Sequence, residues 1–252
     1  MSRSSVSVAM ATYNGARHVR EQLDSILAQL APGDEVVVVD DASSDDTVAV
    51  VNAIGDPRVR VHPRDHNLGY VRTFEEAVGL TTGDVVMLSD QDDLWVEGRV
   101  DALLAALDRT DVVASGVVLL PDDAPLPSPF RRRPWRLDPA TSTHRRRNGA
   151  RMLAGLMPYY GCAMAVRRSA LPIVLPLPPW LTESHDLWIA TVGNVTGQMT
   201  HVAAPTVRRR IHEANASSSR PRGVRAALVS RVLQVRMWRE ARRRARVLRR
   251  AA

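Results

Sequence analysis

The 252-residue chain has no lysine and a single cysteine, Cys162. One cysteine excludes an internal disulfide framework and any zinc site built from several cysteines, and it fits a reducing cytoplasm. Aromatic residues are scarce, with two Phe and four Tyr, so a core must come mainly from Val, Leu, Ala and Ile. No stretch approaches the roughly 18 apolar residues that a membrane-spanning helix needs. A signal peptide is not expected either, because residues 1–5 lead straight into a strand-like segment with no long apolar region. Two phosphate-binding signatures are also missing. There is no G-x-x-x-x-G-K-[ST], so a P-loop is unsupported. No G-x-G-x-x-G follows the first strand-like segment, which removes the phosphate turn of a dinucleotide-binding Rossmann domain.

What is there is a 45% hydrophobic chain, long enough for one α/β domain with an appendage or for two small domains. Its formal charge of +7 is carried by arginine alone, and so complete an exclusion of lysine reads as a coding bias. The placement of charge says more. Arginine triplets at 131–133, 145–147, 208–210 and 242–244 all lie beyond residue 130, whereas the first 125 residues are rich in acids. The second half is thus suited to an anionic partner: a phosphate, a lipid headgroup or a nucleic acid.

Short apolar runs bounded by turn signals predict strands at 6–11, 35–39, 59–62, 85–88 and 112–120, and helical spacing predicts helices over 16–30, 48–54, 70–80 and 95–107. The alternation argues for a largely parallel sheet covered on both faces. In such sheets ligands bind beyond the carboxyl ends of the strands, and two of these ends stop in acids. The second strand ends in Asp40-Asp41, and the fourth runs into Ser89-Asp90-Gln91-Asp92-Asp93. In an extended chain Asp90 and Asp92 point to the same side and share one divalent ion. Hard carboxylate oxygens suit Mg²⁺ or Mn²⁺, above all where a diphosphate supplies further ligands. The other reading of these acids is that Asp92 or Asp93 caps a helix starting after Leu94.

Beyond residue 120 the pattern weakens. Residues 121–148 are proline-rich and read as a loop. Residues 158–166 read as a strand in which Cys162 has small and apolar neighbours, as a buried packing residue rather than a nucleophile would. Residues 182–190 read as a helix start with Asp186 in its first turn, where a carboxylate also favours the helix dipole. Residues 222–250 read as one long helix with an apolar stripe of Val224, Leu228, Val232, Val235, Trp238, Ala241, Ala245 and Leu248, and arginines over much of the rest. Such a helix either lies on anionic lipid or packs against the domain or a second copy.

Four segments in order carry a resemblance: Val8 through Asn14 (Val-Ala-Met-Ala-Thr-Tyr-Asn), Val38-Val39-Asp40-Asp41-Ala42-Ser43-Ser44-Asp45-Asp46-Thr47, Asn67-Leu68-Gly69, and Ser89-Asp90-Gln91-Asp92-Asp93. Over residues 6–110 the chain resembles the inverting glycosyltransferase family 2. The resemblance implies the GT-A fold, an α/β architecture with a Rossmann-like, mostly parallel central sheet flanked by helices, here with a C-terminal amphipathic helix. It implies a domain over 1–220, with a nucleotide-sugar-binding half at 1–120 and an acceptor-side half at 121–220, followed by the basic helix 221–252. The Thr12-Tyr13-Asn14 loop and Asp41 are then expected to hold the base and ribose of a nucleoside diphosphate sugar, with Asn67, Gly69 and Asp90 as further contacts. Asp90 and Asp92 become the D-x-D pair. Asp92 is the leading direct ligand of the Mg²⁺ or Mn²⁺ ion, and Asp93 is open beside it.

The same resemblance extends to the second half. Residues 158–166 are similar to the strand before the family's catalytic helix. His185-Asp186-Leu187-Trp188 is similar to the His-Asp-Trp-Trp form of rhamnosyltransferase-like members, as is the Ser89 to Asp93 motif. This makes Asp186 the general base and Glu183 the runner-up. The segment from Arg208 to Ser217 resembles Tyr-Arg-x-His-x-x-Asn-x-Ser, with Arg210, His212 and Asn215 matching and Arg209 standing where Tyr is usual. Arg210 and His212 are expected to close over the diphosphate.

The chemistry follows from these roles. A carboxylate takes the proton of an acceptor hydroxyl as the glycosidic bond forms, and attack opposite the leaving diphosphate inverts the anomeric centre. The ion neutralises charge on that diphosphate. The expectation is an inverting, metal-dependent glycosyltransferase of cell-envelope polysaccharide synthesis, in the cytoplasm or peripheral at the inner face of the membrane. It moves a sugar, with rhamnose as one candidate, from a dTDP-, UDP- or GDP-sugar to a glycan or lipid-linked glycan. A nucleotidyltransferase also uses paired acids and a metal, but no Gly- and Arg-rich triphosphate loop follows the first strand. A basic nucleic-acid-binding protein leaves the acid clusters without a use and has few aromatic stacking platforms, so no nucleic-acid partner is expected.

Overall fold

The computed structural model describes residues 3–128, 135–211 and 224–251. The first half follows the predicted alternation: β1 (Val6–Thr12), α1 (Val19–Leu27), β2 (Glu35–Asp40), α2 (Thr47–Asn52), β3 (Val59–Pro63), α3 (Tyr70–Leu80) and β4 (Val85–Ser89). Then come β5 (Leu94–Trp95), α4 (Arg99–Leu107), β6 (Val112–Leu119), β7 (Ala124–Pro125), α5 (Arg145–Leu153), β8 (Met164–Arg167), α6 (Leu171–Val174), α7 (His185–Thr196), β9 (Met199–Arg209) and α8 (Val224–Ala251).

Strands β3, β2, β1 and β4 lie side by side and parallel. Side chains alternate across a strand, and here both faces are covered. Val6, Val8 and Met10 of β1 face α1, α2 and α4 through Leu23, Ile26, Val51 and Leu103. Ala9 and Val39 face the other way, toward Phe74 of α3 and Trp188 of α7. Burial on both sides is why β1, β2 and β4 are continuous apolar runs.

The second half departs from a largely parallel sheet. β8 inserts between β4 and β6 and is antiparallel to both. β9 runs parallel to β6, and β5 pairs antiparallel with β9. The result is a mixed, curled sheet ordered β3-β2-β1-β4-β8-β6-β9-β5. β9 crosses a register shift opposite Gly116, where a Cβ would come 2.7 Å from the Ala203 carbonyl oxygen. The helix predicted over 95–107 begins only at Arg99, after Gly98 at φ 77°, because Trp95 belongs to β5. The segment read as a loop over 121–148 contains β7 and the first turn of α5.

α8 packs across α5, α6 and α7. Met237, Ala241 and Ala245 are buried, and Gln234 Nε2 donates to Thr191 Oγ1 at 2.8 Å. Trp238 lies against Gly149 of α5, where a Cβ would meet the indole at 1.9 Å. Of the predicted stripe, only Trp238, Ala241 and Ala245 among the described residues lie on the packed face. Leu228 and Val232 are 63% and 61% exposed, and Val235 and Leu248 are exposed as well. No helix among the described residues is long and apolar enough to cross a membrane.

Candidate active site

Three loops meet at the carboxyl ends of β1, β2 and β4. After β1 the chain turns through Tyr13, Asn14 (φ 49°) and Gly15. Gln91 binds this turn from the β4 side: its Oε1 accepts from Tyr13 N at 2.8 Å and its Nε2 donates to Tyr13 O at 3.0 Å. Gly15 is required there, since a Cβ would lie 2.2 Å from Gln91 Oε1. Asn14 ties the same turn to the loop after β2. Its N–H donates to Ser43 Oγ at 2.8 Å, and its Oδ1 accepts from Ser44 N at 2.8 Å. The Tyr13 ring is left 48% exposed at the mouth.

The acids that end β2 are taken up by the protein. Asp40 accepts from Thr12 Oγ1 at 2.8 Å, Ser43 N at 2.8 Å and Ser43 Oγ at 2.6 Å. Asp41 accepts from Leu68 N at 2.8 Å, Gly69 N at 2.9 Å and the Arg64 guanidinium at 3.0 Å, while Asn67 Nδ2 donates to the Asp41 carbonyl at 3.1 Å. The predicted residues Asp41, Asn67 and Gly69 thus form one unit. Asp41 organises the turn, with Gly69 at φ 84° just before α3.

The acids that end β4 behave differently. β4 stops at Ser89 and the chain bends at 91–92, so the extended geometry that would put Asp90 and Asp92 on one side does not hold. Across a turn, residues three apart converge. Oxygens of Asp90 and Asp93 and the Cys162 sulfur lie within 4.8 Å of one another. Asp93 Oδ1 accepts from Arg210 N at 3.0 Å, whereas its buried Oδ2 has no hydrogen-bond partner. Burial, then the charges of Asp93 and Asp92, push the Asp90 carboxyl well above the usual range. Burial and the Asp92 charge push Asp93 the same way, against hydrogen bonds from Cys162 and the Arg210 N–H.

Residues from the second half complete the cluster. Cys162 is buried, as its neighbours predict, and also hydrogen-bonds Asp93; burial and the two carboxylates hold its thiol protonated. Arg209, in the position where the resemblance has Tyr, places its guanidinium 5.0 Å over the Tyr160 ring and within electrostatic reach of Asp90 and Asp93. Arg210 reaches back to the bend, donating to the Asp92 carbonyl at 3.1 Å and to Glu21 at 2.8 Å. His212 and Asn215 lie outside the described residues.

Asp186 comes from α7. His185 stacks on Phe74 at 4.3 Å between ring centroids and Trp188 is fully buried with its indole N–H on the Val174 carbonyl at 2.9 Å. These two anchor one side of the first turn and leave Asp186 half-buried on the other. Its charge adds to those that raise Asp90, which puts it within electrostatic reach of the acid cluster. Glu183, also half-buried, precedes the helix.

Two contributors were not singled out by the sequence reading. Gln91 is one. The other is Arg99, fully buried beneath the strand ends, which donates to Cys162 O at 2.7 Å and Thr206 Oγ1 at 2.6 Å and lies 4.6 Å from the Trp95 ring centroid. Burial pulls its guanidinium down to about 10, so it stays a cation at neutral pH. Its signal was its spacing: Arg99, Leu103 and Leu107 share one helical stripe, and an arginine in an apolar stripe needs buried acceptors.

The glycosyl transferase family 2 profile matches residues 7–172. The succinoglycan biosynthesis protein ExoO of Rhizobium meliloti is 36% identical over 114 residues, covering 45% of this chain and 32% of that protein. An Escherichia coli protein, the UDP-Glc:alpha-D-GlcNAc-diphosphoundecaprenol beta-1,3-glucosyltransferase WfgD, is 24% identical over 107 residues, 42% of each. These matches therefore span well under half of the relatives' length. Among solved structures, S. aureus TarS 1-349 in complex with UDP-GlcNAc superposes with a TM-score of 0.67 at 19% identity, over 95% of this chain and 72% of that one. Glucosyl-3-phosphoglycerate synthase from Mycobacterium tuberculosis, in complex with Mn²⁺, UDP and glucosyl-3-phosphoglycerate, gives 0.59 at 19%, over 94% and 80%. The neighbours bear out the GT-A-like α/β fold, and with a family profile running through more than half of its length the chain belongs to glycosyl transferase family 2.

Proposed function

We propose that this chain catalyses inverting transfer of a sugar from a nucleoside diphosphate donor to a hydroxyl of a polysaccharide or lipid-linked glycan. One observation carries the reading: a carboxylate pair with an unpartnered buried oxygen lies at the end of β4, within electrostatic reach of a separate carboxylate, Asp186, at the start of α7. The family match and the UDP-bound neighbours support a UDP-sugar as the first donor to test. The names of ExoO and WfgD support an acceptor of the polysaccharide class. Rhamnose rests on the form of the Ser89 to Asp93 and His185 to Trp188 motifs.

Residues 1–120 form the donor half in this reading. Tyr13 presents its exposed ring to the base, and the Asn14, Asp41, Asn67 and Gly69 turns shape the ribose pocket around it. Asp90 and Asp93 would hold the Mg²⁺ or Mn²⁺ ion, with Asp92 beside them. The donor set fits, because the Asp93 Oδ2 lacks a partner and hard cations take carboxylate oxygens. The protonated Cys162 thiol is no ligand for such an ion. When bound, the ion supplies charge neutralisation for the leaving diphosphate. Arg209 adds a fixed positive charge beside the pair, and Arg210 and His212 are the phosphate contacts from the segment after β9.

Residues 121–220 form the acceptor half. Asp186 accepts the acceptor hydroxyl's proton as that oxygen attacks the anomeric carbon and the diphosphate departs on the opposite side. No protein nucleophile is needed. The test is thermal melting with Mn²⁺ or Mg²⁺ and UDP, dTDP or GDP. Metal-dependent stabilisation of about 3 kcal/mol is expected at a hundredfold excess over the dissociation constant. No response to any of the three overturns the donor assignment.

A further inference from the structure

Asp186 sits in the first turn of α7; a second feature lies at the other end of that helix. A cleft of about 770 Å³ opens between α5, α7 and α8. Its walls carry Arg145, Arg146, Arg242, Arg246 and Arg249 and, among the described residues, no carboxylate. Some of these arginines are engaged. Arg145 donates to the Asn194 and Val195 carbonyls at the end of α7, and Arg242 lies 5.2 Å from the Trp238 ring centroid. Arg146 and Arg246 stand exposed at the rim. Leu153, Val195 and Trp238 give the cleft an apolar side.

The cleft is continuous with the outward face of α8. Leu228, Val232, Val235, Arg239, Arg242, Arg246 and Arg250 recur at three- and four-residue steps and are all exposed. They form one stripe, turned away from the buried Met237, Ala241 and Ala245. The stripe is apolar in its first turns and wholly basic after them. Val229, 59% exposed, widens the apolar end. Along α8 ten arginines face a single acid, Glu240, and Glu240 is already paired with Arg243 and Arg244.

Charge and shape choose the occupant. A second copy would set arginine against arginine, which like-charge repulsion disfavours. A nucleic acid would meet the arginines but leave the Leu228, Val232 and Val235 row in water, with no exposed aromatic side chain among the described residues of this surface to stack its bases. An anionic bilayer meets both ends, with phosphates for the planar guanidinium forks and an apolar boundary for the aliphatic row. We propose that α8 and its cleft form a docking surface for an anionic lipid bilayer. The Leu228, Val232 and Val235 row enters the boundary between headgroups and acyl chains, and Arg146, Arg242 and Arg246 take lipid phosphates at the cleft. The surface is separate from the acid cluster, and the inference does not rest on the transfer reaction.

The test is flotation of the full chain with vesicles of phosphatidylcholine alone or mixed with phosphatidylglycerol. Binding is expected to the mixed vesicles only and to weaken with salt. Arg146→Gln with Arg246→Gln lowers the partition coefficient by roughly thirtyfold, at about a fivefold loss for each arginine near the surface. Leu228→Ser with Val232→Ser also lowers it, and the melting temperature of each double variant stays that of the parent because all four side chains are exposed. Equal binding to neutral vesicles overturns the proposal, as does unchanged binding of the arginine variant. Binding to inorganic phosphate or a short RNA without vesicle binding overturns it too, as does a dimer in sedimentation that the Leu228→Ser, Val232→Ser variant abolishes.

Discussion

The two strands that flank β1, β2 and β4, both end in acids, and the two ends are built on opposite terms. At the end of β2 the carboxylates of Asp40 and Asp41 are met by backbone amides, hydroxyls and Arg64. At the end of β4, Asp90 and Asp93 face each other, one oxygen of Asp93 is buried without a partner, and both carboxyls are pushed up. Carboxylates saturated by the chain hold loops in place. Carboxylates left to repel one another are suited to a cation brought from outside.

That contrast can be broken by substitution. The largest expected effect is at Asp93. Asp93→Asn should cut transfer by about a thousandfold and remove metal-linked stabilisation by UDP, while the protein without ligand becomes more stable because one repelling charge is gone. A loss of stability on melting would show that the β4 end is scaffold after all. Next is Asp186→Asn, which belongs to neither strand end. Turnover should fall by about a hundredfold to a thousandfold with nucleotide binding kept in calorimetry, and retained turnover would move the base to Glu183.

Asp41→Asn gives the opposite sign to Asp93→Asn. It leaves Arg64 and two amides short of a charged acceptor and should cost about 3 kcal/mol in denaturant unfolding. A neutral result there would erase the distinction between the two ends. His185 sets a pH dependence. The ring is buried and its protonation is held down to about 4 from an ordinary 6.5, so between these values the unfolded chain binds more protons than the folded one. Stability should therefore fall by up to about 3 kcal/mol as pH drops from about 6.5 to about 4, and His185→Phe should flatten that part of the profile. The smallest effect is at Gln91. Gln91→Ala removes two hydrogen bonds to Tyr13 and should cost about 1–2 kcal/mol, with weaker nucleotide binding as the sharper readout.

The parallel half of the fold was legible because strands buried on both faces write themselves as uninterrupted apolar runs. β9 was not, since the exposed Ala203, Ala204 and Pro205 interrupt its alternation, and the two-residue β5 is too short to have a period. At the site, the acids at 40–41 and 90–93 announced themselves by following strands. Which of the second group converge depended on a bend after Ser89 that composition does not encode, so Asp93 rather than Asp92 joins Asp90. The apolar stripe of α8 was real as a pattern but assigned to a single face. Packing uses only its Trp238, Ala241 and Ala245, joined by Met237 and the amide of Gln234, an arrangement fixed by partners on α5 and α7 that no reading of one helix contains.

The paired hydrogen bonds between Gln91 and Tyr13, closed over the bare Cα of Gly15, bear on how this chain could be re-engineered. The β1 turn and the β4 bend are distant in sequence but behave as a single mechanical part. A donor-specificity motif grafted onto residues 89–93 alone would detach that part from its other half. Transplanting Tyr13 to Gly15 together with Gln91 is the smallest exchange that preserves the joint, and the two segments are expected to change hands as a pair.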